Sequence, residues 1–309
     1  MRSILFFVFL SPLLLVSQKI SEDIEIFNDT IALPGTLTYL EGYDPLPLVV
    51  FIHGSGNADR NGNQGGLATA DHIKQLSDSL VAHGIAFFRF DKRTSNPKNR
   101  STINTLSFFD LVKDVETIAA HFGEDPRFSG VHLIGHSQGS LIGMLVAQRT
   151  TIKSYTSLAG PGTPIDQSLV RQITAQNDDL GKLAEEHVSE LMTTDTIVEV
   201  HPFLYAVFAP QNQGFLREWI PLDPAKEIAK IKAPVLILNG DADSQITVAD
   251  AQLLQQARPD ARYEIIPKMN HVLKTVNDAL ENQQSYLNPD FRIPERLISV
   301  LTLFIKSNE

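Results

Sequence analysis

The feature that most limits how this chain can fold is a short apolar strand that runs directly into a Gly-x-Ser-x-Gly turn. Residues 131–134 read Val-His-Leu-Ile, and Gly135, Ser137 and Gly139 form the turn, from which a helical pattern continues. The two glycines let strand and helix approach closely around the serine. Such a turn places Ser137 near a helix N-terminus, where free N–H groups favour developing negative charge. The pattern predicts a nucleophile elbow with Ser137 as the nucleophile.

The composition narrows the class of protein. The chain has 309 residues, of which 43% are hydrophobic and 20% are charged, as in one large globular domain or two small ones. The formal net charge is −10 and the basic residues form no cluster, so we expect no nucleic-acid partner. The sequence has no cysteine, which excludes disulfides and zinc–thiolate sites.

The first 17 residues have the form of a secretory signal peptide. A basic Met1-Arg2 start precedes a largely apolar run over 4–16, and polar residues follow from Ser17 onward. The apolar run is short for a membrane span of about 20 residues, so we favour cleavage over a retained anchor. We therefore expect a secreted or periplasmic protein, without stable membrane insertion after cleavage, whose single domain covers 18–309.

Apolar strands alternate with helical patterns along most of the remaining chain. A hairpin is predicted over 22–39 and a last strand over 262–266, while buried parallel strands are predicted over five apolar segments, at 47–52, 85–90, 131–135, 155–159 and 234–239. The segments between them have helical patterns, and a closing helix is predicted over 294–306. This order predicts an α/β fold, with a mostly parallel sheet flanked by helices.

The segment 163–222 interrupts this alternation. It contains helical patterns and several aromatic residues but no strong strand. An insertion at this point is expected above the carboxyl ends of the strands, where ligands bind in open α/β sheets. We expect a helical cap, with aromatic side chains that either fix it to the sheet or line a pocket. Phe203, Phe208 and Trp219 are the candidate substrate-binding residues.

A serine nucleophile needs a base, an acid that holds the base, and donors for the oxyanion. When a nucleophile elbow lies on a mostly parallel sheet flanked by helices, the catalytic residues follow in the sequence order Ser, then Asp or Glu, then His. His271 is the only histidine beyond residue 201 and follows the last predicted strand, so it is the candidate base. Asp241 and Asp243 both follow the 234–239 strand. We favour Asp243 as the acid and expect Asp241 to cap backbone N–H groups.

The oxyanion donors are expected in the loop after an early strand and at the elbow. The loop Gly54-Ser55-Gly56 follows the 47–52 strand, and its glycines let the backbone reach a substrate oxygen. The backbone N–H groups of Ser55 and Gln138 are therefore the predicted donors. His53 and His136 lie beside these loops, and we expect both to brace the backbone.

Taken together, the motifs resemble the α/β-hydrolase superfamily, and within it a bacterial esterase branch related to serine aminopeptidases. Besides Asp243, the resemblance rests on the hairpin around Pro34-Gly35 and on the motifs at 53–56, 59–60, 90–93, 135–139, 159–162 and 270–271. It implies hydrolysis of carboxylic esters through an acyl-serine intermediate, without a metal or organic cofactor. We expect acyl groups of small to medium size. A small-molecule ester is thus the expected partner.

Two loops depart from the pattern of this family. Thr94 follows the Asp-Lys-Arg run where relatives often have glycine, and Asn57-Ala58 follow the oxyanion loop where relatives often have proline. Both loops border the expected site, so the resemblance does not define the substrate.

Four charged residues near the oxyanion loop are candidates for a structural ion network. These residues are Asp59, Arg60, Asp91 and Arg93. We expect them to stabilise the loop through ion pairs.

Two alternative functions compete with an esterase. A serine aminopeptidase needs a carboxylate near the site to hold the substrate ammonium group, and the cap offers Asp178, Asp179, Glu185, Glu186 and Glu190. Such charges more often form a solvated helix face. The other alternative is a catalytically inactive binding protein on the same fold, against which the complete set of candidate catalytic residues argues.

Overall fold

Eight strands form one sheet in the described part of the chain. The computed structural model describes residues 18–42, 45–66, 68–103 and 105–309, so the predicted signal peptide at 1–17 lies outside the described residues. The strands are β1 (Lys19–Asn28), β2 (Ile31–Leu40), β3 (Leu46–Ile52), β4 (Ala86–Phe90), β5 (Phe128–His136), β6 (Ser154–Leu158), β7 (Val235–Gly240) and β8 (Arg262–Ile266).

The sheet is mostly parallel, as predicted. Its strand order is β1-β2-β4-β3-β5-β6-β7-β8. The hairpin of β1 and β2 pairs antiparallel, and β2 continues antiparallel onto β4. All pairings from β4 through β8 are parallel. The carboxyl ends of β3, β5, β7 and β8 therefore meet along one edge of the sheet, which is where loops converge in such folds.

Helices cover both faces of the sheet. They are α1 (His72–Ala82), α2 (Phe108–Gly123), α3 (Gln138–Ala147), α4 (Ile165–Thr174), α5 (Asp178–Thr194), α6 (Tyr205–Phe208), α7 (Pro210–Trp219), α8 (Pro224–Ile228), α9 (Val248–Ala257), α10 (Ala279–Ser285) and α11 (Glu295–Lys306). Alternate residues of β3 lie in two different apolar clusters, because successive side chains of a strand point to opposite faces. One cluster includes α1 and α11, and the other includes α2, α3 and α9.

The segment between β6 and β7 is helical, and it is the segment for which the sequence predicts a cap. Its helices α4, α5 and α7 surround an apolar cluster of their own, built around Ala184, Leu191, Leu204, Phe208 and Leu216. The short helices α6, α7, α8 and α10 were not predicted from the sequence pattern. In the described ranges, no helix combines the length and the apolar character that crossing a bilayer requires.

Candidate active site

Ser137 occupies a strained turn at the end of β5. Its φ is 54° and its ψ is −123°, a conformation that costs a residue with a side chain about 1–3 kcal/mol. The Ser137 N–H donates to the Leu158 carbonyl oxygen at 3.1 Å, which ties the turn to β6. A Cβ at Gly139 would lie 2.3 Å from the Ile52 carbonyl oxygen, so this position requires glycine. The strain is therefore held in place by close backbone packing around the serine.

Asp243 and His271 meet at the ends of β7 and β8. The distance from His271 Nδ1 to Asp243 Oδ2 is 2.8 Å, and the two side chains are 8% and 0% exposed. A carboxylate only accepts hydrogen bonds, so Nδ1 carries the proton and Nε2 is left free to accept one. The other oxygen of Asp243 accepts the backbone N–H groups of Gln245 and Ile246, at 2.8 and 2.9 Å. These bonds fix the carboxylate towards the imidazole.

Asp241 has a different set of contacts from Asp243. Its Oδ1 accepts the backbone N–H of Lys268 at 2.6 Å, and its side chain is exposed. This bond joins the loop after β7 to the loop after β8. Of the two candidate acids, the structure thus brings Asp243 to His271, while Asp241 caps a backbone donor.

Asn270 anchors the loop that carries His271. Its side-chain nitrogen donates to Asn282 Oδ1 at 2.8 Å and to Ser285 Oγ at 2.7 Å, while its side-chain oxygen accepts the Lys274 N–H at 2.9 Å. Asn270 is fully buried. The sequence identified Asn270 only as a neighbour of the candidate base, because nothing in the local pattern indicated the contact with α10.

The buried histidines near the site are poor bases. His136 Nε2 donates to the His271 carbonyl oxygen at 2.8 Å, so His136 braces the histidine loop as expected. Burial lowers the pKa of His136 to about 3, and the neighbouring His271 adds to this shift. His53 packs edge-on against Phe90 with ring centroids 4.8 Å apart, and burial lowers its pKa to about 3 as well. Both imidazoles are neutral at physiological pH, which favours His271 as the base.

A cavity of about 770 Å³ opens beside these loops. Ser137, His271, Ser55 and Gln138 all line it. A Cβ at Gly54 would lie 3.1 Å from Ser137 Cβ, so the oxyanion loop lies directly against the elbow. The arrangement provides a nucleophile, a base and two backbone loops around one space, which is the set of groups that acyl transfer requires.

Lys92 links the oxyanion loop to the elbow, a contact that the sequence pattern did not indicate. Its ammonium group donates to the Gly54 carbonyl oxygen at 2.8 Å and to Gln138 Oε1 at 3.1 Å. Burial lowers the pKa of Lys92 to about 8, against a smaller opposing effect of Asp114. The one available sequence signal was its position just after β4, at the same sheet edge as the other loops.

The expected ion network is divided into two parts. The Arg60 side chain donates two hydrogen bonds to Asp91, from Nε to Oδ1 at 3.0 Å and from Nη2 to Oδ2 at 2.8 Å. Asp59 accepts backbone N–H groups of its own loop. Arg93 does not join them. It forms a buried bidentate pair with Asp114 on α2, with both N–O distances 2.7 Å. The prediction is therefore wrong for Arg93, whose partner lies 21 residues further along the chain.

The three aromatic residues proposed for substrate binding occupy different environments. Trp219 lines the cavity. Phe203 does not, since it lies in a short 3₁₀ turn and is 82% exposed. Phe208 is fully buried in the apolar cluster of the cap. The expectation that Phe203 and Phe208 line the cavity is therefore corrected, because the side-chain directions of the cap depend on how its helices pack.

No metal centre is found in the described part of the chain. Its His, Asp and Glu side chains form no group of three or more that could hold a metal ion.

A family model for alpha/beta hydrolases matches residues 49–278, which include the oxyanion loop, the elbow, Asp243 and His271. The chain belongs to the alpha/beta hydrolase family. This assignment agrees with the sheet topology and the position of the elbow.

Two curated relatives of this alpha/beta hydrolase are enzymes by name. One is esterase EstD of Thermotoga maritima, which is 26% identical over 246 residues that cover 78% of this chain and 58% of EstD. The match thus spans somewhat more than half of EstD. The other is a monoacylglycerol lipase of Mycolicibacterium smegmatis, 23% identical over 74% of this chain and 82% of the lipase.

Among solved structures, this alpha/beta hydrolase is similar to Est1E from Butyrivibrio proteoclasticus. The TM-score is 0.61 at 17% sequence identity, over 93% of this chain and 98% of that chain. At this level of identity the similarity supports the fold.

Proposed function

We propose that this protein is a serine hydrolase that cleaves carboxylic esters of small to medium acyl size. The observation that carries the proposal is the 2.8 Å contact between Asp243 and His271 beside the cavity that Ser137 lines. The names of the two curated relatives, an esterase and a monoacylglycerol lipase, support ester bonds as the target. The intact set of reactive groups argues against an inactive binding protein.

In the proposed mechanism, Ser137 Oγ attacks the ester carbonyl and His271 Nε2 takes its proton. Asp243 stabilises the imidazolium and keeps its own negative charge. The backbone N–H groups of Ser55 and Gln138 hold the oxyanion, each typically worth about 3 kcal/mol in the transition state. His271 then gives its proton to the leaving alcohol. A water molecule, activated by the same histidine, hydrolyses the acyl-serine.

The charge of the cavity favours an esterase over an aminopeptidase. Of the described residues that line the cavity, none is an aspartate or a glutamate. The cap acids Asp178, Asp179, Glu185 and Glu186 are exposed, and Glu190 accepts the Val198 N–H. A substrate ammonium group would thus enter without a counter-charge, at a desolvation cost that disfavours it.

The test is ester hydrolysis by the wild type and by Ser137→Ala. We expect the wild type to hydrolyse p-nitrophenyl butyrate and to react with a fluorophosphonate probe. Ser137→Ala should lose probe labelling and about 10⁴- to 10⁶-fold in kcat, while circular dichroism shows the same fold. Near-wild-type turnover by the pure variant would overturn the assignment. Cleavage of aminoacyl-arylamides in preference to esters would favour the aminopeptidase.

A further inference from the structure

Two walls of the cavity differ in their chemistry. One wall is apolar and comes from α2, the loop before it, and α7. It presents Leu106, Leu111, Phe215 and Trp219. The rings of Phe215 and Trp219 contact each other, with centroids 5.8 Å apart. This wall offers a continuous surface for a hydrocarbon chain.

The other wall carries three polar residues from separate elements that are joined by hydrogen bonds. Gln172 of α4 donates to the backbone oxygen of Gln245 at 3.1 Å, and the Gln245 side chain donates to Tyr286 Oη at 2.7 Å. All three residues line the cavity. Burial raises the pKa of Tyr286 to about 12, so the phenol stays protonated and can donate its own O–H. Ile165, Leu169 and Ile246 also line the cavity.

The polar wall is connected to the candidate acid and base. The Gln245 N–H donates to one oxygen of Asp243, and the other oxygen of Asp243 holds His271. His271 must reach the oxygen of the departing alcohol in order to protonate it. The alcohol part of the ester must therefore lie near His271, to which Gln245 is linked through Asp243.

The cavity also selects against charge. Among the described residues that line the cavity, Lys92 is the only one of the types Lys, Arg, Asp and Glu. Its ammonium group already donates hydrogen bonds to Gly54 and Gln138. A charged alcohol would find no free partner there. An additional hydroxyl group, in contrast, can both donate to and accept from amide and phenol groups.

We propose that the preferred substrates are uncharged esters with an apolar acyl group and an alcohol that carries at least one further hydroxyl group. This inference rests on the proposed ester hydrolysis. The amide and phenol groups of Gln172, Gln245 and Tyr286 recognise that hydroxyl, and the α2–α7 wall receives the acyl chain.

The experiment compares two esters with the same acyl group and the same three-carbon alcohol skeleton, glycerol monobutyrate and propyl butyrate. We expect kcat/KM to be about tenfold higher for the glycerol ester. Gln172→Leu and Tyr286→Phe should each reduce that ratio about threefold or more, as the loss of a hydrogen bond requires. Gln252→Leu is the matched control, because Gln252 is exposed on α9 and does not line the cavity.

The outcomes separate this inference from the proposed function. If the wild type hydrolyses none of the three esters, glycerol monobutyrate, propyl butyrate and p-nitrophenyl butyrate, ester hydrolysis itself is overturned. A wild type that hydrolyses p-nitrophenyl butyrate, but has equal kcat/KM for the glycerol and propyl esters, would overturn only the alcohol preference. A preference that survives both substitutions would show that the polar wall does not cause it.

A second inference concerns the buried ammonium group of Lys92 and rests on independent contacts. The Gly54 carbonyl that accepts from Lys92 and the Ser55 N–H belong to one peptide unit. A charge-assisted hydrogen bond to that carbonyl polarises the peptide, which makes its N–H a stronger donor. The same ammonium group holds the side chain of Gln138, whose backbone N–H is the other proposed donor.

We infer that Lys92 is a positioning residue that orients and polarises both oxyanion donors, provided that the proposed ester hydrolysis is right. Its positive charge lies behind the oxyanion rather than in contact with it. The contribution therefore arises in the transition state, where the oxyanion is fully formed, and it should change kcat more than KM.

The test is Lys92→Met, which keeps the chain length but removes the charge and the donors. We expect kcat for p-nitrophenyl butyrate to fall about 10- to 100-fold, with KM within twofold of the wild type. Lys98→Met is the matched control, because the Lys98 side chain is 72% exposed and pairs with Glu25 away from the cavity. It should retain kcat within twofold.

A second variant keeps the test decisive if Lys92→Met does not fold. Gln138→Met retains the backbone N–H but removes one acceptor of Lys92, so kcat should fall severalfold at constant KM. The inference is overturned if Lys92→Met folds and has the kcat of the wild type. If Lys92→Met is unfolded, a wild-type kcat in Gln138→Met overturns it. So does a rise in KM with kcat unchanged.

Discussion

The strand-end loops and the helical cap both line the cavity, but they hold their side chains in different ways. In the loops, Ser137 is fixed by a strained backbone and Asp243 by two backbone N–H groups. In the cap, Phe208 and Trp219 are fixed by the packing of apolar side chains. A backbone turn determines the direction of its side chain locally. A packed helix determines it only once its neighbours are in place.

This difference explains why sequence position predicted the cavity-lining residues of the loops better than those of the cap. Phe203 and Phe208 are five residues apart and equally apolar, yet one is exposed and the other is fully buried. Trp219 lies four residues after Phe215, so both share the face of α7 that meets the cavity. In the cap, the orientation of the helices therefore determines which side chains reach the cavity. In the loops, the backbone turns determine it. Three measurements test this distinction.

The largest expected effect lies in the loops. Asp243→Asn should lower kcat about 10⁴-fold in a folded protein, because the amide favours the wrong tautomer of His271 and lacks the stabilising charge. Asp241→Asn keeps an oxygen that accepts the Lys268 N–H but loses the charge that strengthens this bond, so it should retain activity, with a loss of at most about 1 kcal/mol in unfolding free energy. Steady-state kinetics and thermal unfolding of both variants check this. If Asp241→Asn were the inactive variant, the role of acid would pass to Asp241.

The next largest effect concerns the core of the cap. Phe208→Ala should destabilise the protein by about 3–5 kcal/mol, since it opens a cavity among buried side chains. Phe203→Ala, at an exposed position, should change the unfolding free energy by less than about 0.5 kcal/mol. Denaturant unfolding measures both. Equal losses of stability would contradict the different environments of the two phenylalanines.

The smallest effect concerns acyl selectivity. Trp219→Ala should enlarge the cavity beside the apolar wall and shift the preference of kcat/KM towards longer p-nitrophenyl esters. The expected size is about fourfold per additional methylene that becomes buried, from about 0.8 kcal/mol each. Phe203→Ala should leave the profile from acetate to octanoate unchanged. An identical profile for Trp219→Ala would remove Trp219 from the acyl-binding wall.

Much of the sheet followed from local pattern, whereas the supports of the site did not. The continuous apolar segment at 47–52 predicted a buried strand that the structure has as β3, one residue longer, because apolar periodicity reports burial on both faces. Lys92 bonds to residues 38 and 46 positions away, and Asn270 bonds to a helix that has no strong pattern of its own. Such contacts arise only when distant loops converge at the sheet edge.

The anchoring of Asn270 also makes the position of the base dependent on the segment that follows β8. Its partners Asn282 and Ser285 come late in the sequence, and Lys274 of the same loop donates to the Phe291 carbonyl oxygen at 2.8 Å. A chain that ends at β8 contains the nucleophile elbow but lacks both His271 and the α10 residues that anchor the His271 loop. The proposed ester hydrolysis therefore depends on the segment after β8, and we expect a chain truncated at β8 to be inactive even when its sheet has formed.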